Sequence, residues 1–149
     1  MDKKTFFART MHTPDDPARA ELRAALREVS KALIPLHRAL IDAARDDYTF
    51  GIGEITGPSH LLRLVQDDEF FAWLKPMTSL IVDIDEMART DFTIDEAKAI
   101  AQRLDSMFGS DVDPGFAERY IPILQRAVDV AIGHAAVRRV AGKLPRGNP

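Results

Sequence analysis

Residues Phe116–Ala141 are apolar on two sides of a helix, and no other stretch limits the fold as strongly. At 100° per residue, Ala117, Tyr120, Ile121, Leu124, Ala127, Val128, Ala131 and Ala135 share one face. Phe116, Ile123, Val130 and Val137 form a second row at intervals of seven, well around the cylinder from the first. One apolar stripe lets a helix lie on a core, whereas two call for neighbours on two sides. The stretch therefore reads as the central helix of a bundle or as a helix shared with a second subunit. Pro122 stands on the narrow polar strip with Arg126, Asp129 and Gly133, where a freed carbonyl can reach water, so it predicts a bend and not a stop.

The N-terminal half carries the other long helix. Asp16-Pro17 has the form of an N-cap and first helical residue. Leu22, Leu26, Val29, Leu33, Leu36 and Leu40 then alternate four and three apart, running past Pro35 to about Asp46. Residues 47–58 hold three glycines and a proline and make the longest break in the pattern, a loop that is mobile or functional.

Shorter helices follow: one beginning at Pro58 with Leu61, Leu62 and Val65 inward, and a turn capped by Asp67 that carries Phe70, Phe71 and Trp73. A third, Pro76–Arg89, has Met77, Leu80, Ile81, Ile84 and Ala88 on its core side. Thr93-Ile94-Asp95-Glu96 fits a capping box for a helix ending at Phe108–Gly109. The expected fold is an all-α antiparallel bundle of four to five helices, with two long proline-kinked helices at about 17–46 and 114–141.

A chain of 149 residues is long enough for one self-sufficient domain, here 15–141, between an arm (1–14, anchored by Phe6 and Phe7) and a frayed basic tail (142–149). There is no cysteine, which removes disulfides, thiolate nucleophiles and cysteine metal ligands and suits a reducing cytoplasm. No run approaches the ~20 apolar residues of a membrane span, so a soluble protein is expected.

The net charge of −3 hides an asymmetry: +3 over residues 1–45, −11 over 46–118 and +5 over 119–149. Basic outer helices beside acidic inner ones would account for it. Arg138, Arg139, Lys143 and Arg146 make the C-terminal end basic. Without a helix-turn-helix pattern or interleaved aromatics, and with an acidic balance overall, nucleic-acid binding is not expected.

Three aspartates, Asp42, Asp83 and Asp129, each follow a mid-helix proline by seven residues, but all fall on the proline's side and away from the apolar rows. They do not form an inward-facing carboxylate site. The residues with chemistry to offer are His37 and His134, both bordering apolar faces, with Tyr48 and Tyr120. If the long helices pack antiparallel, these four could line a small-molecule pocket, and His37, Asp85 and His134 could meet as a 2-His-1-carboxylate metal site. The simpler expectation is that the histidines are packed core residues and that Asp85 pairs with Arg89 four residues on. Glu-x-x-His, His-Glu-x-x-His, GxSxG, P-loop and GxGxxG patterns are all absent, and Pro122 stands where a calcium loop opening at Asp111 needs a glutamate.

The reading that follows is a non-catalytic interaction module, with no cofactor, that forms a homodimer through Phe116, Ile123, Val130 and Val137. A protein partner is a further expectation, and a ligand- or metal-binding bundle is the competing one.

Overall fold

A computed structural model describes residues 15–146, and every element among them is helical. In chain order these are α1 (Pro17–Gly51), α2 (Pro58–Asp67), a 3-10 turn (Glu69–Leu74), α3 (Lys75–Arg89), α4 (Ile94–Phe108), α5 (Pro114–Arg126) and α6 (Val128–Ala141). There are thus six α-helices where four to five were expected. The proposed arm, with Phe6 and Phe7, lies outside the described residues.

The central element is α1, not the C-terminal stretch. Its 35 residues bury Leu26, Val29, Leu33, Leu36, Leu40 and Ala44 and pack mainly on α6 and α3. The Asp16 carboxylate accepts the Arg19 N–H at 2.8 Å, with Pro17 in the first turn, as the sequence indicates. Pro35 is tolerated inside because it stands on the exposed side. Partners along α1 descend in number as it ascends: Arg23 meets Ala88, Ser30 meets Asp85 and His37 meets Thr78. Likewise Glu28 meets Lys143 and Asp47 meets Arg126. Both α3 and the α5–α6 arm therefore run opposite to α1.

α1 continues five residues past the expected end. Tyr48 holds the extra turn, packing edge-on to Phe70 at 5.4 Å and tilted on Phe71 at 5.8 Å, so the helix extends to Gly51 and the break shrinks to residues 52–57. In α2 the inner positions are Leu61, Leu64 and Val65, while Leu62 points out. The 3-10 turn is capped by Asp68, not Asp67, through its carboxylate to the Phe70 N–H.

The capping box at Thr93 and Glu96 is present in both directions, at 3.1 and 2.9 Å. Gly109 closes α4 where a Cβ would lie 2.7 Å from the Asp105 Cα, a contact no side chain can make.

The single long C-terminal helix is instead two. The chain passes through Pro122 and breaks at Ala127, which is extended at φ −104°, ψ 111°. The roles of the two apolar rows are also the reverse of a core face and an interface. Phe116, Ile123, Val130 and Val137 are all buried within the chain, the two valines completely, so this row is internal core and not a dimer surface.

From the other row, Tyr120 is buried, but Ile121, Val128, Ala131 and Ala135 are exposed. The alanines of this row lose little by facing water, whereas Ile121 and Val128 leave branched side chains on the surface. Gly133, assigned to the polar strip, is buried where α6 crosses α1; a Cβ there would stand 3.0 Å from the Leu36 Cβ. The tail is not frayed as far as residue 146. Leu144 is buried, Lys143 pairs with Glu28 and Arg146 with Asp105.

Candidate functional site

The structure draws together one pair of the four proposed pocket residues. The Tyr120 hydroxyl lies 2.7 Å from His134 Nδ1. Around them Phe116 stacks on Tyr120 at 5.1 Å, Phe108 meets Tyr120 edge-on at 5.5 Å, and Trp73 tilts on Phe116 at 5.6 Å. Burial pushes the Tyr120 phenol well above its ordinary range, so it stays protonated. Burial and then the Arg138 guanidinium lower the His134 imidazole, which favours its neutral form. With both groups neutral, we assign the hydroxyl as donor to an unprotonated Nδ1, leaving the imidazole proton on Nε2. Arg138 itself donates to the Phe108 carbonyl at 3.2 Å. The Trp73 indole N–H is buried without a partner among the described residues.

The other two pocket residues lie elsewhere. Tyr48 is in the Phe70–Phe71 cluster, and His37 Nε2 sits 3.0 Å from the Thr78 hydroxyl, its pKa lowered by burial. The common pocket expected from His37, Tyr48, Tyr120 and His134 does not form.

The metal trio is also dispersed. His37 is engaged with Thr78, His134 with Tyr120, and Asp85 accepts from Ser30 Oγ at 2.6 Å. Among the described residues no three histidines or carboxylates come close enough to hold an ion, and Asp42, Asp83 and Asp129 are each exposed. Arg89 reaches the Asp85 backbone carbonyl at 3.2 Å, not its carboxylate.

Sequence reasoning missed a buried cation. Arg23 is almost wholly buried, and its Nε is 2.7 Å from an Asp15 oxygen. Its NH1 donates to the carbonyls of Ala88 and Thr90 at 2.8 and 2.7 Å, and the guanidinium lies 5.0 Å from the Phe92 ring centre. Arg27 adds a bond to the Ala88 carbonyl, and Arg19 bonds the Phe92 carbonyl and also lies over its ring. Cations thus occupy the C-terminal end of α3, where free carbonyls and the helix dipole favour them. The sequence signal was present as arginines at positions 19, 23 and 27, four apart on one face.

One groove of about 710 Å³ opens between α1 and α6, floored by Ala32, Pro35, Ala39, Gly133 and Ala136. Ile132 stands at its side, 64 % exposed, and Val128 one turn earlier is 72 % exposed. Of the four C-terminal cations, Lys143 and Arg146 are paired with the carboxylates of Glu28 and Asp105, and Arg138 is held on the Phe108 carbonyl.

No helix among the described residues is long and apolar enough to cross a membrane. No family model, curated protein or solved structure matches the chain.

Proposed function

We propose that this protein is a non-catalytic interaction module that associates with itself through the outward face of α6. The observation that carries the reading is the exposure of Val128 and Ile132, on a helix whose opposite side is closed core. Branched side chains left in water beside alanines and a concave groove are what a protein surface offers a partner. The best-formed polar constellation, Tyr120–His134, supports the non-catalytic part. It is packed among rings, and neither residue lines the α1–α6 groove. The absence of cysteine suits the cytoplasm, where the proposal places the protein.

Sedimentation velocity of the full chain across a hundredfold range of concentration tests it. A sedimentation coefficient that rises to the dimer value is the expected result. A monomer at every concentration removes self-association from the proposal.

A further inference from the structure

We infer that α1 of a second copy lies antiparallel across α1, and that the Phe50 ring of each copy enters an apolar pocket at the far end of the other's α1. This rests on the self-association proposed above and specifies its geometry.

Phe50, in the last turn of α1, is 96 % exposed, more than any other large apolar residue among those described. It follows Ala32, on the floor of the α1–α6 groove, by eighteen residues, or five full turns, and so stands on the same line of the helix. At the opposite end of α1 a pocket of about 680 Å³ is lined by Ala18, Leu22, Ala25, Ile94, Leu144 and Pro145. Glu28 and Lys143 border both the pocket and the groove, so ring, groove and pocket follow one face of the molecule. Leu22 and Phe50 are about 42 Å apart along α1, too far for the ring to reach the pocket of its own chain. Another copy can bring the two together.

A two-fold axis above this face and square to α1 reverses level along both helices, laying α1 on α1 and α6 on α6. The levels agree on one such axis. Phe50 and Leu22 each lie fourteen residues, about 21 Å, from Leu36. Lys31 and Asp42, beside the groove on α1, are centred within one residue of the same point. On α6, Asp129 and Arg139 are centred on residue 134, next to the Gly133 that lies against Leu36.

Rotation therefore brings Phe50 to the second copy's pocket, Lys31 to its Asp42 and Asp129 to its Arg139, with levels matched to within about 3 Å. Each contact occurs twice. Among the described residues Lys31, Asp129 and Arg139 have no ion-pair partner, and Asp42 is held only by Arg45 at 3.9 Å. Ile132 and Ala136 stand two residues to either side of the α6 centre, so the exposed isoleucine of each copy meets an alanine of the other. Arg38 is the like charge nearest the axis, and its own Asp42 lies one turn along the helix.

Sedimentation of the full chain tests the ring and its pocket. Phe50→Ser should weaken self-association at least tenfold yet melt with wild type, because the ring stands in water within its own chain. Ala24→Arg, at an exposed position lining the pocket, should do the same. Cross-linking reads the register, and the chain has no cysteine of its own to confuse it. Lys31→Cys and Asp42→Cys, mixed in equal amounts, should be joined to each other by a short bismaleimide. Neither should be joined to itself, since its two thiols would lie about 16 Å apart along the helices. If wild type dimerises but either Phe50→Ser or Ala24→Arg associates equally well, the geometry is overturned while self-association stands. The same holds if Lys31→Cys links to itself as readily as to Asp42→Cys. A wild-type monomer at every concentration overturns both.

Discussion

Two polar groups are buried at different places in this bundle, and they are satisfied to different degrees. Arg23 has an ion pair with Asp15, two strong bonds to the end of α3 and a ring face beneath it. Among the described residues, the rings around Tyr120 share one side-chain hydrogen bond, Tyr120 to His134, and tolerate an indole N–H with no partner beside it. The difference follows from the cost of desolvation. A guanidinium taken out of water without full compensation would cost many kcal/mol, whereas an unpaired neutral N–H costs about 1–3 kcal/mol, within what ring packing can offset. The charged site must be complete to exist at all; the neutral one need only be good enough.

That contrast sets the order of the expected effects. Of the changes that probe this contrast, Arg23→Met should be the most damaging, lowering stability by about 3–5 kcal/mol in urea unfolding, because it takes the buried guanidinium away from the Asp15 carboxylate and from the Ala88 and Thr90 carbonyls. Less than about 1 kcal/mol there would mean that the ion pair contributes little beyond its methylenes, and the comparison would collapse. Tyr120→Phe keeps the ring and deletes only the hydroxyl, so a loss of about 1–2 kcal/mol is expected from the bond and the stranded His134 nitrogen.

The smallest effect is the pH dependence. His37 and His134 both have folded pKa values below the unfolded 6.5, so the unfolded state takes up protons first. Their contribution is intact above about pH 6.5 and is lost as the pH falls from there through the lowered folded values. Melts between pH 7.5 and 5.5 should therefore show a decline that is shallower in His134→Gln, and an equal decline in both proteins would remove His134 as a source.

The clearest sequence signals were those written in local chemistry. Asp16-Pro17, the Thr93–Glu96 box and Gly109 each satisfy or end a helix through groups within four residues, and all three are seen in place. The leucine row of the first helix was equally plain, because a heptad repeat holds one face for many turns. What was not legible depends on groups far apart in the chain. Nothing at Arg126-Ala127-Val128 is a helix breaker by composition, so the division of the C-terminal helix is set by packing and not by propensity.

The extension of α1 to Gly51 likewise depends on Phe70 and Phe71 meeting Tyr48 from beyond the loop. Four-apart arginines read equally well as a solvated face, and only the arrival of the α3 terminus turns Arg23 inward. The candidate histidines were placed near apolar surface correctly, but their separation required knowing which helix each one faces.

The row of four residues at intervals of seven on α5 and α6 is inside, and the face carrying Ile132 is the one we propose for a partner. Val130→Glu and Ile132→Glu, followed together by thermal melting and sedimentation, test it most directly. Val130 is completely buried, so its glutamate variant should be severely destabilised or unfolded, by well over 3 kcal/mol for an unpaired buried charge. Ile132→Glu should melt within a few degrees of wild type and remain monomeric at concentrations where wild type is a dimer. A Val130→Glu protein that melts like wild type but no longer associates, beside an Ile132→Glu protein that still dimerises, would contradict the account and return the seam to the interface.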